Sequence, residues 1–191
     1  MYTDYNIYLA SGSPRRRELL AMLGVDFRRA PSIDVDESYP ASIPADEVAQ
    51  YIARKKADAY TPLVGEGDLY ITADTVVIAG DKVIGKPSSL DEARRMLRML
   101  SGITHRVVTG VCVFTATHIE CFSSTTEVEF AELSDDEINS YVEEFRPLDK
   151  AGAYGIQERI GAMAVKGLRG SFYNVMGLPV ARLYEVLKNR F

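Results

Sequence analysis

The chain has no tryptophan, only two cysteines and two histidines, and no apolar run near the roughly 18 residues of a membrane span. Each shortage removes a class of protein. Cys112 and Cys121 are too far apart for a C-x-x-C redox motif and too few for a zinc cluster. His105 and His118 share no H-x-x-H spacing and pair with no cysteine, which gives a transition-metal centre no support; His105 reads as a hydrogen-bonding strand residue. The residues after Met1 lack the basic start and apolar core of a signal peptide, so a cytoplasmic protein without membrane association is expected. Positive charge is also short: 22 Lys and Arg stand against 27 Asp and Glu, a net charge of −5. Wrapping a nucleic-acid polymer needs a broad basic face, so that partner is excluded, while a small anion stays open if a few cations converge. If a turn is centred on Ala116 and Thr117, the two thiols face each other across a strand pair, and in a reducing compartment they are expected as reduced core thiols.

What is present is an ordinary globular composition, 47% hydrophobic and 26% charged over 191 residues. That length suits one domain over residues 1–191, built as two lobes; no repeat, low-complexity stretch or linker divides it.

Ile7–Ala10 reads as a strand feeding a helix capped by Ser13, with Pro14 at its first position, Leu19, Leu20 and Leu23 as its stripe and Gly24 as its stop. A second helix runs from Val48 to about Tyr60. Leu69–Thr72 and Val76–Ile78 read as a strand interrupted at Asp74, with a hairpin turn at Gly80-Asp81. Ser89 with Glu92 and Ser134 with Glu137 have the capping-box spacing and open two further helices, the second stopped by Pro147. Two long strands, about 105–115 and 118–130, lie between them; a Gly-rich segment and a helix after Pro179 close the chain. Early alternation of strands and helices with a strand pair in the middle predicts α/β with a mixed sheet.

The loop Ser11-Gly12-Ser13-Pro14-Arg15-Arg16-Arg17 joins a strand end to a helix start, where N–H groups and the helix dipole favour an anion. Three arginines on a first turn otherwise oppose that dipole, although solvated arginines on a capped helix are the plainer alternative. Asp74 lies among apolar residues, where a carboxylate needs a metal, a cation or backbone hydrogen bonds. Asp34, Asp36 and Glu37 offer oxygen ligands for a hard cation, or form a solvated acidic loop. Lys56 continues the edge of an apolar helix face, and Lys86 in Gly85-Lys86-Pro87 sits between strand and helix; either can aim an amine or snorkel to solvent. In Asp149–Gln157 two glycines and small residues admit a close ligand or make a flexible loop, and Gln157 has the paired donor and acceptor to read a base edge.

In order, Leu9–Arg16, Ala73–Val77, Gly85–Pro87, Ser101–Gly110, Asp149–Gln157 and Asn174–Pro179 resemble the Maf family of nucleotide pyrophosphatases, from about residue 7 to 187. The resemblance implies an elongated mixed sheet flanked by helices, two lobes with a cleft, a relation to inosine triphosphate pyrophosphatases, and a homodimer. It further implies cleavage of nucleoside triphosphates to monophosphate and pyrophosphate with a divalent metal: Mg2+, or Mn2+ or Co2+. Position by position, Ser11, Ser13, Arg15 and Arg16 would bind phosphate and Lys56 and Lys86 would neutralise it. Glu37 and Asp74 would serve the metal, Asp74 also the attacking water, and Gln157 would help place the substrate. The Asp149–Gln157 segment resembles the branch acting on dTTP and UTP, which adds modified pyrimidine triphosphates as candidates. The segment after it, Glu158-Arg159-Ile160-Gly161-Ala162, departs from the commoner pattern of Gly directly after Gln and one residue fewer. Two other readings are a nucleotide-sensing regulator of cell division and septum formation without significant turnover, and a sanitising enzyme for damaged purine nucleotides.

Overall fold

The computed structural model describes residues 5–191. Its strands are β1 (Asn6–Leu9), β2 (Phe27–Arg29), β3 (Asp68–Ala79), β4 (Lys82–Ile84), β5 (Thr104–Phe114), β6 (Ile119–Phe130) and β7 (Val165–Arg169). The α-helices are α1 (Pro14–Ala21), α2 (Ala45–Tyr60), α3 (Leu90–Leu100), α4 (Asp135–Phe145), α5 (Arg159–Ala164), α6 (Phe172–Met176) and α7 (Val180–Arg190). The strands form one seven-stranded sheet in the order β2-β1-β3-β5-β6-β7, with β4 beside β3. β1 runs parallel to β2 and β3, whereas β4 and β7 pair antiparallel with β3 and β6, so the sheet is mixed, as expected. The chain divides into two compact units: Met1–Asp74, Thr109–Ser124 and Gly177–Phe191 form the first, and Thr75–Val108 with Thr125–Met176 the second.

In the first unit, Ser13 leaves the strand in an extended conformation and its Oγ accepts the Arg16 N–H at 3.4 Å, which starts α1 at Pro14. Leu19 and Leu20 are buried, and Gly24 takes the left-handed φ of 67° that turns the chain away. α2 buries Val48, Ala49, Ile52, Ala53, Ala57 and Tyr60, one continuous apolar face. Its backbone comes so close to β5 that a Cβ on Gly110 would stand 2.4 Å from the Ala49 carbonyl; only glycine admits this packing. Thr72 Oγ1 donates to the Ala53 carbonyl at 2.8 Å and ties α2 to β3.

Two local expectations need correction here. β3 is not interrupted at Asp74 but runs through it, because the carboxylate has a cationic partner described below. β2 went unread: three residues, two of them arginine, carry no alternation to detect. Cys112 and Cys121 do face each other, with Thr115 N–H donating to His118 O in the turn, but they are joined as a disulfide rather than held as thiols; the register brings their Cα atoms to 4.2 Å.

In the second unit the Gly80 turn folds β4 back with Val77 opposite Ile84, Ile78 opposite Val83 and Ala79 opposite Lys82. The capping box of α4 is complete, Glu137 N–H donating to Ser134 Oγ at 3.3 Å and Ser134 N–H to Glu137 Oε2 at 2.8 Å. In α3 only half of it forms, since Glu92 reaches back to Ser88 instead of Ser89. The core joins Leu97, Leu100, Val107, Phe130, Ile138 and Val142. The Gly-rich segment holds α5, β7 and α6, each too short for its periodicity to register.

Candidate functional site

Lys56 lies on the last turns of α2, held to β3 by the Thr72–Ala53 bond one turn earlier. Its Nζ stands 2.8 Å from Asp74 Oδ1 and 2.7 Å from Glu37 Oε1. Lys56 and Asp74 are largely buried, at 15% and 10% side-chain exposure, while Glu37 is about half exposed at 46%. Two carboxylates thus converge on one ammonium, one of them from the middle of β3. Removing Lys56 would take from the largely buried Asp74 its direct ion-pair partner, and breaking a buried pair on one side is destabilising. The acidic loop splits: Asp36 turns to Ser38 and to Lys55, whose Nζ is 3.0 Å away, and only Glu37 reaches the cluster. Hydrogen bonds from Ser38 hold the Asp36 carboxyl well below the usual carboxylate range.

The Ser11–Arg17 loop borders the same residues. Arg16 Nε donates to Gly177 O at 2.8 Å, and its Nη1 to Ala73 O at 2.9 Å and Ser11 Oγ at 3.3 Å. Burial lowers the Arg16 pKa against the opposing pull of Asp74, and a guanidinium stays charged through such a shift. Arg16 therefore brings positive charge to the strand ends while fastening three chain segments. Ser11 Oγ also accepts the Ser13 N–H at 3.2 Å, so both serines shape the loop; Arg15 is half-buried beside them in sequence. Ser11, Ser13, Arg15, Arg16, Glu37, Lys56 and Asp74 all belong to the first unit.

Lys86 and Gln157 belong to the second unit and are both exposed. Their loops are joined, because the Gly152 N–H donates to Gly85 O at 3.0 Å. Gly152 holds φ 67°, and a Cβ there would meet Val77 at 2.9 Å. His105 is buried in this unit, its Nε2 2.8 Å from the Tyr154 hydroxyl, which matches the strand role expected of it. Burial drives its pKa down to about 4 and pushes that of Tyr154 up, so both stay neutral near pH 7.

Composition suggested no partner for Lys150, yet this lysine is buried with its Nζ 2.8 Å from Asp149 Oδ1 and 3.1 Å from Glu158 Oε1. Glu158 Oε2 also accepts the Tyr141 hydroxyl. A lysine amid Ala and Gly was the available signal, since burial beside small residues demands a counter-charge. Among the described residues no three His, Cys, Asp or Glu side chains converge as a metal cage, and no helix is long and apolar enough to cross a membrane.

The chain matches the family described as Maf-like protein over residues 6–190. It is 52% identical over 184 residues to a dTTP/UTP pyrophosphatase of Bacteroides thetaiotaomicron, covering 96% of this chain and 95% of that protein. It is also 52% identical to a dTTP/UTP pyrophosphatase of Parabacteroides distasonis, covering 97% and 96%. Among solved structures, the Staphylococcus aureus Ham1 protein aligns with a TM-score of 0.45 at 16% identity, covering 66% of this chain and 72% of that one. A family match over nearly every residue, together with relatives half identical along almost their whole length, makes this chain a member of the Maf family.

Proposed function

We propose that this chain is a nucleoside triphosphate pyrophosphatase acting on dTTP and UTP, releasing the monophosphate and pyrophosphate. The observation that carries the reading is the convergence of Glu37 and Asp74 on Lys56 beside the Arg16 loop, in a chain half identical to proteins named for this activity. Water attacks the α-phosphorus, the bond to the bridging oxygen breaks, and pyrophosphate departs. Asp74, on a rigid strand, orients that water and takes its proton. Lys56 and Arg16 stabilise charge growing on the phosphate oxygens, with Ser11, Ser13 and Arg15 shaping the phosphate-binding loop. In the second unit, Lys86 neutralises phosphate charge and Gln157 recognises the base.

Two carboxylates suit Mg2+, which keeps several waters and completes its shell with substrate phosphates. Glu37 and Asp74 would hold it; Mn2+ or Co2+ would fit the same oxygens. When bound, such an ion neutralises the polyphosphate and polarises the reacting phosphoryl group. A homodimer in the cytoplasm and a single domain over residues 1–191 complete the proposal. The last is supported by five chain segments alternating between the units, so that neither unit is a contiguous piece.

Pyrophosphate release from a panel of triphosphates, with and without chelator, tests the reading. Preferential turnover of dTTP and UTP that chelation abolishes is expected; binding without turnover would overturn it in favour of a sensor.

A further inference from the structure

The turn that carries Gln157 is closed by groups to which neither the family match nor the proposed mechanism gives a part. Glu158 N–H donates to Gly155 O at 3.0 Å, making Gly155–Glu158 a β-turn with Gln157 at its third position. Gly155 N–H donates to the Tyr141 hydroxyl at 3.2 Å, and that hydroxyl donates to the Glu158 carboxylate. Both ends of the turn are therefore gripped by one buried tyrosine on α4. The second carboxylate oxygen of Glu158 is held by Lys150 at 3.1 Å. A Cβ on Gly155 would stand 2.7 Å from the Glu158 carboxyl carbon, so the carboxylate lies directly against the turn backbone. Beyond the turn, Arg159 fastens α5 to α4 through Glu144 at 2.7 Å and Ser140 at 2.9 Å. Burial and the adjoining Glu158 raise the Tyr141 pKa, which keeps the donated proton in place. Gln157 alone in this turn is exposed.

We propose that Glu158 is a positioning residue, clamped by Tyr141 and Lys150, that holds the Gly155–Glu158 turn and so fixes how Gln157 meets the base. Its bearing on base choice rests on the role proposed above for Gln157. Loss of the negative charge leaves an amide whose single oxygen cannot satisfy both donors and whose NH2 faces one of them.

The test compares kcat/KM for dTTP and dCTP in Glu158→Gln, Tyr141→Phe, Gln157→Ala and the double variant Glu158→Gln/Gln157→Ala, with backbone amide exchange at Gly155 measured in parallel. Glu158→Gln and Tyr141→Phe should each cut the dTTP preference by about tenfold, chiefly through KM for dTTP. Adding Glu158→Gln to Gln157→Ala should change the preference no further, because residues acting through one another are not additive. Wild-type preference in both clamp variants, with Gln157→Ala losing it, would overturn the positioning role and leave the base-reading role standing. If Gln157→Ala itself keeps the preference, the reading of Gln157 fails, and exchange at Gly155 decides on the turn: faster exchange in Glu158→Gln upholds the clamp, unchanged exchange overturns it.

Discussion

Among the described residues, two lysines each bridge two carboxylates, one in each unit. Lys56 joins Glu37 and Asp74 in the first unit; Lys150 joins Asp149 and Glu158 in the second. Charge inventory does not separate them, and burial hardly does, with the lysine side chains 15% and 9% exposed. What separates them is how the carboxylates are completed. Glu158 gives one oxygen to Lys150 and the other to Tyr141, so it has nothing left to offer a cation. Asp74 and Glu37 each set one oxygen against the Lys56 ammonium, at 2.8 and 2.7 Å.

Neutralising Asp74 in the first unit and titrating a buried group in the second should give losses of different kinds. Asp74→Asn should lower turnover on the order of 10²-fold or more while the melting temperature stays close to that of the parent, measured by pyrophosphate release and thermal denaturation. Full activity would remove Asp74 from the chemistry.

The second unit's buried polar pairs should instead appear in stability. His105 folds with a pKa of about 4 against the ordinary 6.5, so the unfolded chain takes up a proton first as the pH falls. The stabilisation is complete above pH 6.5 and is lost progressively down to about pH 4, on the order of 3 kcal/mol in all. Urea unfolding at stepped pH should show this decline, and His105→Gln should flatten it.

Backbone approach also differs between the units. Gly110→Ala drives a methyl into the α2 backbone that carries Lys56 and should cost about 1–3 kcal/mol with a matching loss of activity. Gly85→Ala meets nothing within 4 Å and should stay within about 0.5 kcal/mol of the parent in the same denaturation series.

Much of this was legible beforehand. The caps at Ser13, Ser89 and Ser134 start helices where their spacing said they would, because a cap is a local bond between near neighbours. Asp74 and Lys56 stood out as charges inside apolar patterns, and they found each other across 18 residues. The Lys150–Glu158–Tyr141 clamp was not legible, since nothing local marks a tyrosine on a helix face as the partner of a turn 14 residues on. β2, β7 and α6 escaped for a simpler reason: at three to five residues they hold too few repeats of their period to reveal it.

The sequence by itself determined the family, the mixed α/β class and which residue types could handle a polyphosphate, because these reside in local patterning and ordered motifs. Only the tertiary structure decided which carboxylates meet which lysine. That choice depends on partners distant in the chain: Thr72 and Gly110 set α2 so that Lys56 meets Asp74, and Tyr141 takes the oxygen that Glu158 would otherwise present.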